Sequence, residues 1–182
     1  MRKPYLVGVV LALAVAGAAA AAAVAAFNGN VGTHLKGRYE VPLRDTKAQG
    51  HAMFRVSEDG TSADYKLIAS NIDNAFMAHI HMTAPGIDPL TSTGGIVVWL
   101  FPSTAVLPGP KATGRHDGVL AEGTITAANL VGALANHPLS DLLAAIGDGR
   151  TYVNVHTDDD VAPANTGPGD FPGGEVRGQL GT

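Results

Sequence analysis

The stretch QGHAMFRVSEDGTSADYKLIAS, residues Gln49–Ser70, carries the clearest signal of secondary structure in the chain. In its first half Ala52, Phe54 and Val56 alternate with more polar side chains, the period of a strand with one buried face. Glu58-Asp59-Gly60 follows as a hairpin turn signal. The second half returns with the same period, in which the apolar positions are Ala63, Tyr65, Leu67 and Ala69. The stretch therefore predicts an antiparallel hairpin.

Further strand candidates continue the pattern along the chain, at Ala75–Met82, Gly95–Phe101, Val119–Ile125, Thr151–His156 and Glu175–Leu180. Gly95–Phe101 (GIVVWLF) is apolar throughout, which predicts that both of its faces are covered. Thr126–Ile146 instead has helix formers with apolar spacing, broken at Pro138, and predicts two short helices. Short strands between turns predict a mostly β fold, an antiparallel Greek-key β-sandwich or barrel with one or two short helices.

The N-terminal segment is predicted to be an export element. Arg2 and Lys3 precede Tyr5–Phe27, which contains no charged side chain. A basic start before an apolar run is typical of a signal peptide, and this run is also long enough for a membrane anchor of about 20 residues. Residues 1–26 are therefore predicted as a signal peptide or an N-terminal anchor, residues 27–33 as a linker and residues 34–182 as one domain. Both alternatives place the domain outside the cytoplasm, whether periplasmic, secreted or anchored facing outward.

The composition of the 182 residues excludes several functions. The net charge is −4 and aromatic residues make up 5% of the chain, so nothing suggests nucleic-acid binding. The absence of cysteine excludes thiolate metal ligands and a cysteine nucleophile. There is no G-x-S-x-G turn, phosphate loop or dinucleotide fingerprint. These absences favour a binding or structural role over catalysis, with membrane contact only through an uncleaved N-terminal segment.

Three of the seven histidines are candidate ligands. His79 and His81 stand two residues apart in AHIHMTAPG, so a strand directs both rings to one face. His156 ends TYVNVH, where Val153 and Val155 take the core positions. The alternation predicts that all three histidines point away from the core and meet on an outer face if the strands are neighbours. Among the other four, His34, His116 and His137 are predicted to have simple surface roles.

Imidazole nitrogen suits copper, zinc, nickel or iron, and three histidines with an open position are typical of exchangeable metal sites. The sequence thus predicts a metal site at His79, His81 and His156, holding copper or zinc. The acidic run Asp158–Asp160 is predicted to add a ligand or to hydrogen-bond a ligating histidine. The alternative remains that His79 and His81 only donate hydrogen bonds that fix the following Pro-Gly loop.

Several motifs resemble the CHRD domain family, and they occur in the order of that family. They are LKGRYEVP (Leu35–Pro42), AHIHMTAPG (Ala78–Gly86), GGIVVWLF (Gly94–Phe101), LAEGTITAANL (Leu120–Leu130), GDGRTYVNVHT (Gly147–Thr157) and PGGEVRGQL (Pro172–Leu180). The resemblance implies a β-sandwich domain of an exported protein and no established reaction. Leu43 stands where the family usually has a second proline. Such a module is expected to meet protein partners in the envelope or the extracellular space.

A shorter resemblance concerns the copper–zinc superoxide dismutase fold. His79-Ile80-His81 looks like its paired copper ligands, and Val155–Asp159 looks like the segment with its later copper ligand. The resemblance implies copper ligation by His79, His81 and His156, and a copper-dependent redox enzyme as the alternative function. A bridging histidine and a disulfide are lacking, and Arg177 is only a loose counterpart of the active-site arginine.

Two glutamates, Glu40 and Glu175, also lie inside the CHRD motifs. Paired carboxylates can perform acid–base catalysis. Structural ion pairs are the more frequent explanation, so Glu175 is predicted to pair with Arg38 or Arg177, or to bond a backbone edge.

Overall fold

The computed structural model describes residues 29–102 and 112–181. The export element predicted at residues 1–26 lies outside the described residues and stays a prediction. Within the described ranges, no helix has both the length and the apolar character needed to cross a bilayer.

Antiparallel strands make up most of the described chain. The elements are β1 (Asn30–Lys36), β2 (Gln49–Val56), β3 (Ser62–Met82), β4 (Gly95–Phe101), β5 (Ala112–Thr126), α1 (Leu139–Gly147), β6 (Thr151–Thr157) and β7 (Val176–Leu180). The predicted hairpin is β2 and the first half of β3, paired from Gln49↔Ser70 to Val56↔Ala63.

The 21-residue strand β3 organises the sheet. Its first half lies between β2 and β5, and its second half lies between β6 and β4. Because β1 pairs with both β2 and β7, and β7 pairs with β6, the strands β1, β2, β3, β6 and β7 close into a ring. The predicted mostly β, antiparallel barrel or sandwich is confirmed.

The interior of the ring is the hydrophobic core. Alternate positions of the strands supply it, with Leu67, Ile80, Val153 and Val176 all fully buried. The apolar side chains of α1 join the same cluster. Burial of each large apolar side chain stabilises the fold by roughly 1.5–3 kcal/mol. The opposite face of β6 and β7 carries the side chains of Tyr152, Asn154, His156, Arg177 and Gln179.

Strand β3 combines two strands that the alternation of the sequence predicts separately, the second half of the hairpin and Ala75–Met82. Asn71 and Asn74 both have φ of 53°, and register shifts interrupt the pairing with β5 around them. Asparagine tolerates this left-handed conformation because its short side chain bonds locally. The strand therefore bends at this point without ending, and one β3 serves both halves of the sheet.

Two other segments differ from expectation. Residues 30–33, predicted as linker, lie in β1, where Asn30 pairs with Arg55. Of the two predicted helices only α1 is α-helical, and the segment before it forms two single 3-10 turns, Ala127–Asn129 and Gly132–Leu134. Gly132 has φ of 58°, which an α-helix does not accommodate.

Candidate metal centre

The register of β3 against β6 brings the three predicted histidines to one face. Ala78 is opposite Val155, His79 is opposite Asn154, and Met77 is opposite His156. Since successive side chains of a strand alternate between faces, His79, His81 and His156 share the face opposite to the apolar core. The two strands are neighbours, as the convergence requires.

The three rings are in contact. The Nδ1 atom of His79 lies 3.1 Å from Nε2 of His156. Ring centroids are 5.4 Å apart for His79 and His81, 4.9 Å for His79 and His156, and 6.0 Å for His81 and His156. One ring nitrogen from each residue lies within 4.8 Å of the other two.

The outer face on which the three histidines meet is covered. His79, His81 and His156 are only 1%, 8% and 6% exposed. Two loops cover this face, because Gly94 at the end of the β3–β4 loop and Pro172 in the β6–β7 loop both hydrogen-bond the rings. Strand alternation predicted the side of the sheet correctly, but it carries no information about what covers that side.

The loop carbonyls determine which ring nitrogens carry protons. Nδ1 of His81 is 2.9 Å from the Gly94 carbonyl, and Nδ1 of His156 is 2.8 Å from the Pro172 carbonyl. A carbonyl only accepts hydrogen bonds, so both Nδ1 atoms donate and both Nε2 atoms keep a lone pair. Among the described residues, the buried Nε2 atoms of His79 and His81 have no hydrogen-bond partner.

This arrangement fits a metal ion bound by imidazole nitrogens. Zinc–nitrogen bonds of about 2.0–2.1 Å place two tetrahedral ligand atoms about 3.3 Å apart. The 3.1 Å between His79 Nδ1 and His156 Nε2 is close to that separation. Carbonyls on the far nitrogens are the usual supports of ligating histidines. The predicted alternative, hydrogen bonding that fixes a loop, is also realised at His81, and the two roles are compatible.

Aromatic side chains hold two of the rings in place. Trp99 meets His79 edge-on with centroids 4.2 Å apart. Tyr152 is parallel to His81 within 3°, at 4.9 Å. Neither Trp99 nor Tyr152 is among the site residues predicted from the sequence. The alternation in TYVNVH carries the signal for Tyr152, because it stands four residues before His156 on the same face.

Burial keeps the three imidazoles neutral. It lowers the pKa of His79 to about 2, with a further contribution from the neighbouring His156 and His81 rings. It also lowers the pKa of His156 to about 4, against the hydrogen bond to Pro172. The pKa of His81 is lowered by burial as well. Neutral imidazole is the form that ligates metals, so the site needs no deprotonation at neutral pH.

A buried arginine lies beside the histidines. Arg177 is 2% exposed and donates to the carbonyls of Pro89 and Ser92 in the β3–β4 loop. Its guanidinium carbon is 3.3 Å from the centroid of the Tyr152 ring, which itself stacks on His81. Arg177 thus fixes both the covering loop and one wall of the histidine site.

Glu40 is the acidic neighbour of Arg177. Burial raises the pKa of Glu40 to about 7, although the charge of Arg177 acts to lower it. Asn154 interacts with both Glu40 and His81. Gly174 has φ of 121°, and a Cβ there would lie 2.5 Å from Glu40 Oε1 and 2.8 Å from Asn154 Nδ2. Only glycine fits beside this pair.

The predicted pairing of Glu175 with Arg38 or Arg177 is wrong. Its carboxylate accepts from the hydroxyls of Thr46 at 2.6 Å and Thr157 at 2.7 Å, and from the amide of Gly169 at 2.9 Å. The predicted backbone bond is therefore present, and it belongs to the β6–β7 loop. Glu175 anchors this loop to the barrel.

The acidic run Asp158–Asp160 does not supply the predicted hydrogen bond to His156. Nδ1 of His156 bonds Pro172, so no carboxylate occupies that position. The carboxylates of Asp158 and Asp159 group with that of Asp170 instead.

The remaining histidines do not belong to the three-histidine group. His34 stacks on His51 with centroids 4.4 Å apart, and His137 pairs with Asp141 at 2.7 Å. His116, predicted in a turn, lies in β5 opposite Ile72 and is half-buried.

The fold and site define a closed antiparallel β domain with a buried three-histidine group on the outer side of its wall. A model of the CHRD domain family matches residues 31–180. The chain belongs to the CHRD domain family, as the motifs predicted, and this membership supports an extracellular or exported protein. No curated protein and no solved structure matched the chain.

Proposed function

We propose that this protein is an exported binding domain that holds one transition-metal ion, copper or zinc, through His79, His81 and His156. One observation carries the proposal. A ring nitrogen from each histidine lies within 4.8 Å of the other two, and backbone carbonyls hold the far nitrogens of His81 and His156.

The donor set suits copper and zinc. Imidazole is the usual nitrogen ligand of both metals, and the chain contains no cysteine that would favour softer sites. Because the loop carbonyls and aromatic neighbours already orient the rings, binding orders few additional side chains. Three protein ligands leave one coordination position for water or for a group of a partner protein.

The metal would act mainly as a structural link. His79 and His81 belong to β3, His156 belongs to β6, and the carbonyls of Gly94 and Pro172 belong to the covering loops. A ligand that binds only the folded state stabilises it by about 2.7 kcal/mol at one hundred times its dissociation constant. This role fits an envelope or extracellular module that binds protein partners.

The alternative proposal is a copper-dependent, superoxide dismutase-like redox enzyme. Arg177 favours it, because this buried cation on the histidine face has an Nη1 atom without a hydrogen-bond partner among the described residues. A fixed positive charge attracts small anions such as superoxide. Superoxide consumption by the copper-loaded protein separates the alternatives, since the binding module would show metal without turnover.

Metal binding is tested with three single variants. We expect the chelator-treated protein to take up one equivalent of Cu(II) or Zn(II), measured by mass spectrometry of its metal content. His79→Ala, His81→Ala and His156→Ala should each weaken binding by at least about 100-fold, because loss of a direct ligand exceeds the 10–100-fold effect of supporting partners.

His137→Ala is the matched control, since it removes an imidazole that is half exposed and pairs only with Asp141. It should bind metal as the wild type does. Equal metal content in the wild type and all three site variants would refute the proposal.

A further inference from the structure

A second group of oxygen donors lies in the β6–β7 loop, residues 158–175. One carboxylate oxygen each from Asp158, Asp159 and Asp170 lies within 4.8 Å of the other two. The group shares no residue with the three histidines, so it is a separate feature of the loop.

Asp170 makes this group different from an ordinary acidic surface. It is only 2% exposed. Its Oδ2 atom accepts from the amide and the hydroxyl of Thr166, each at 2.8 Å. Its Oδ1 atom is buried and has no hydrogen-bond partner among the described residues. A buried carboxylate oxygen without a donor is costly, so it calls for a positive partner.

No basic side chain in the described ranges supplies that partner. Neither Asp159 nor Asp170 forms an ion pair with a lysine, arginine or histidine there. The carboxylates of Asp159 and Asp170 repel each other at this distance, and a cation between them would relieve that repulsion.

We propose that Asp158, Asp159 and Asp170 bind a calcium ion. Calcium takes six to eight oxygen ligands at about 2.3–2.6 Å, so two ligands on opposite sides of the ion are about 4.6–5.2 Å apart. Oxygens within 4.8 Å of one another fit around one such ion. Loop carbonyls and water complete its shell, which calcium accepts because its coordination geometry is flexible.

The ion would brace the loop that supports the histidine site. Directly after Asp170, the carbonyl of Phe171 accepts from the amide of Thr157 at 3.3 Å. The carbonyl of Pro172 accepts from Nδ1 of His156. Calcium at Asp170 would therefore hold the segment that orients His156, and an exported protein meets calcium at the millimolar levels such sites use.

Calorimetric titration of the chelator-treated full chain with CaCl2 tests the proposal. We expect one saturable site with a dissociation constant of about 10⁻⁴ to 10⁻³ M, the range of extracellular calcium modules. Asp170→Asn and Asp159→Asn should each weaken binding at least tenfold. Asp159 is exposed, so its variant should fold even if the Asp170 variant does not. Asp148→Asn is the control, because it removes a carboxylate that is 64% exposed and outside the group.

The result that overturns the proposal is an absence of saturable binding up to about 10 mM, well above that range. Equal loss in the Asp148 control would also overturn it, since binding would then reflect general surface charge. The same titration on a His79→Ala, His156→Ala double variant should still show calcium binding. Failure of the transition-metal site therefore leaves the calcium proposal testable by itself.

Discussion

Replacement of Arg177 by methionine should destabilise the domain by about 3–5 kcal/mol, because two loop carbonyls lose a charged donor and each such hydrogen bond contributes about 1.5–3 kcal/mol. Arg177 is 2% exposed, donates to Pro89 and Ser92, and stacks on Tyr152. Methionine keeps much of the side-chain length, so the loss reports charge and hydrogen bonding more than volume. The measurement is the free energy of unfolding from urea denaturation.

The matched control is Arg115→Met, which breaks a surface pair with Asp117 in which both side chains are half exposed. Exposed pairs contribute about 0–1 kcal/mol. The Arg177→Met, Glu40→Gln double variant should regain part of the loss, because the charge of Arg177 favours the ionised form of Glu40, and glutamine removes the cost of protonating that buried carboxyl once Arg177 is gone. A cost below about 1 kcal/mol for Arg177→Met would contradict the conclusion that Arg177 is a buried cation that stabilises the domain.

Acidification should destabilise the metal-free protein strongly. Burial holds the pKa of His79 at about 2 and of His156 at about 4, and lowers that of His81, each below the ordinary value of 6.5. The unfolded chain therefore binds more protons than the folded one as pH falls below 6.5, and stability is lost. Glu40 opposes this trend, because its raised pKa of about 7 lets the folded state take up a proton first.

On unfolding near pH 5.5, the three histidines take up about three protons and Glu40 releases about one. The net uptake is therefore about two protons. The free energy of unfolding should therefore fall by up to about 2–3 kcal/mol per pH unit between pH 6 and 5. Urea unfolding of the chelated protein across this range measures the slope. Glu40→Gln removes the opposing proton and should make it steeper. A stability that stays level from pH 7 to 4.5 would show that the histidines are solvated.

The fold was largely predictable because its strands carry local signals. Alternation around Phe54 and Leu67, and the turn at Asp59-Gly60, specify the hairpin without reference to the rest of the chain. The continuity of β3 was not predictable, because the bend at Asn71 depends on a bond from its amide to Asp117 in another strand.

The candidate site was predictable only in its strand positions. Alternation placed His79, His81 and His156 on one face, and the structure brings them together. Their burial follows from loops whose contacts are long-range. The decisive partners of His81 and His156 are backbone carbonyls, which every residue has, so no side-chain motif marks Gly94 or Pro172.

Whether the three histidines ligate one metal ion can be seen in a crystal structure of the zinc-loaded protein, with anomalous data at the zinc edge. We expect one strong peak about 2.0–2.1 Å from a ring nitrogen of each of His79, His81 and His156. A peak located elsewhere, such as at His34 and His51, or no peak among these three rings in saturated crystals, would contradict it.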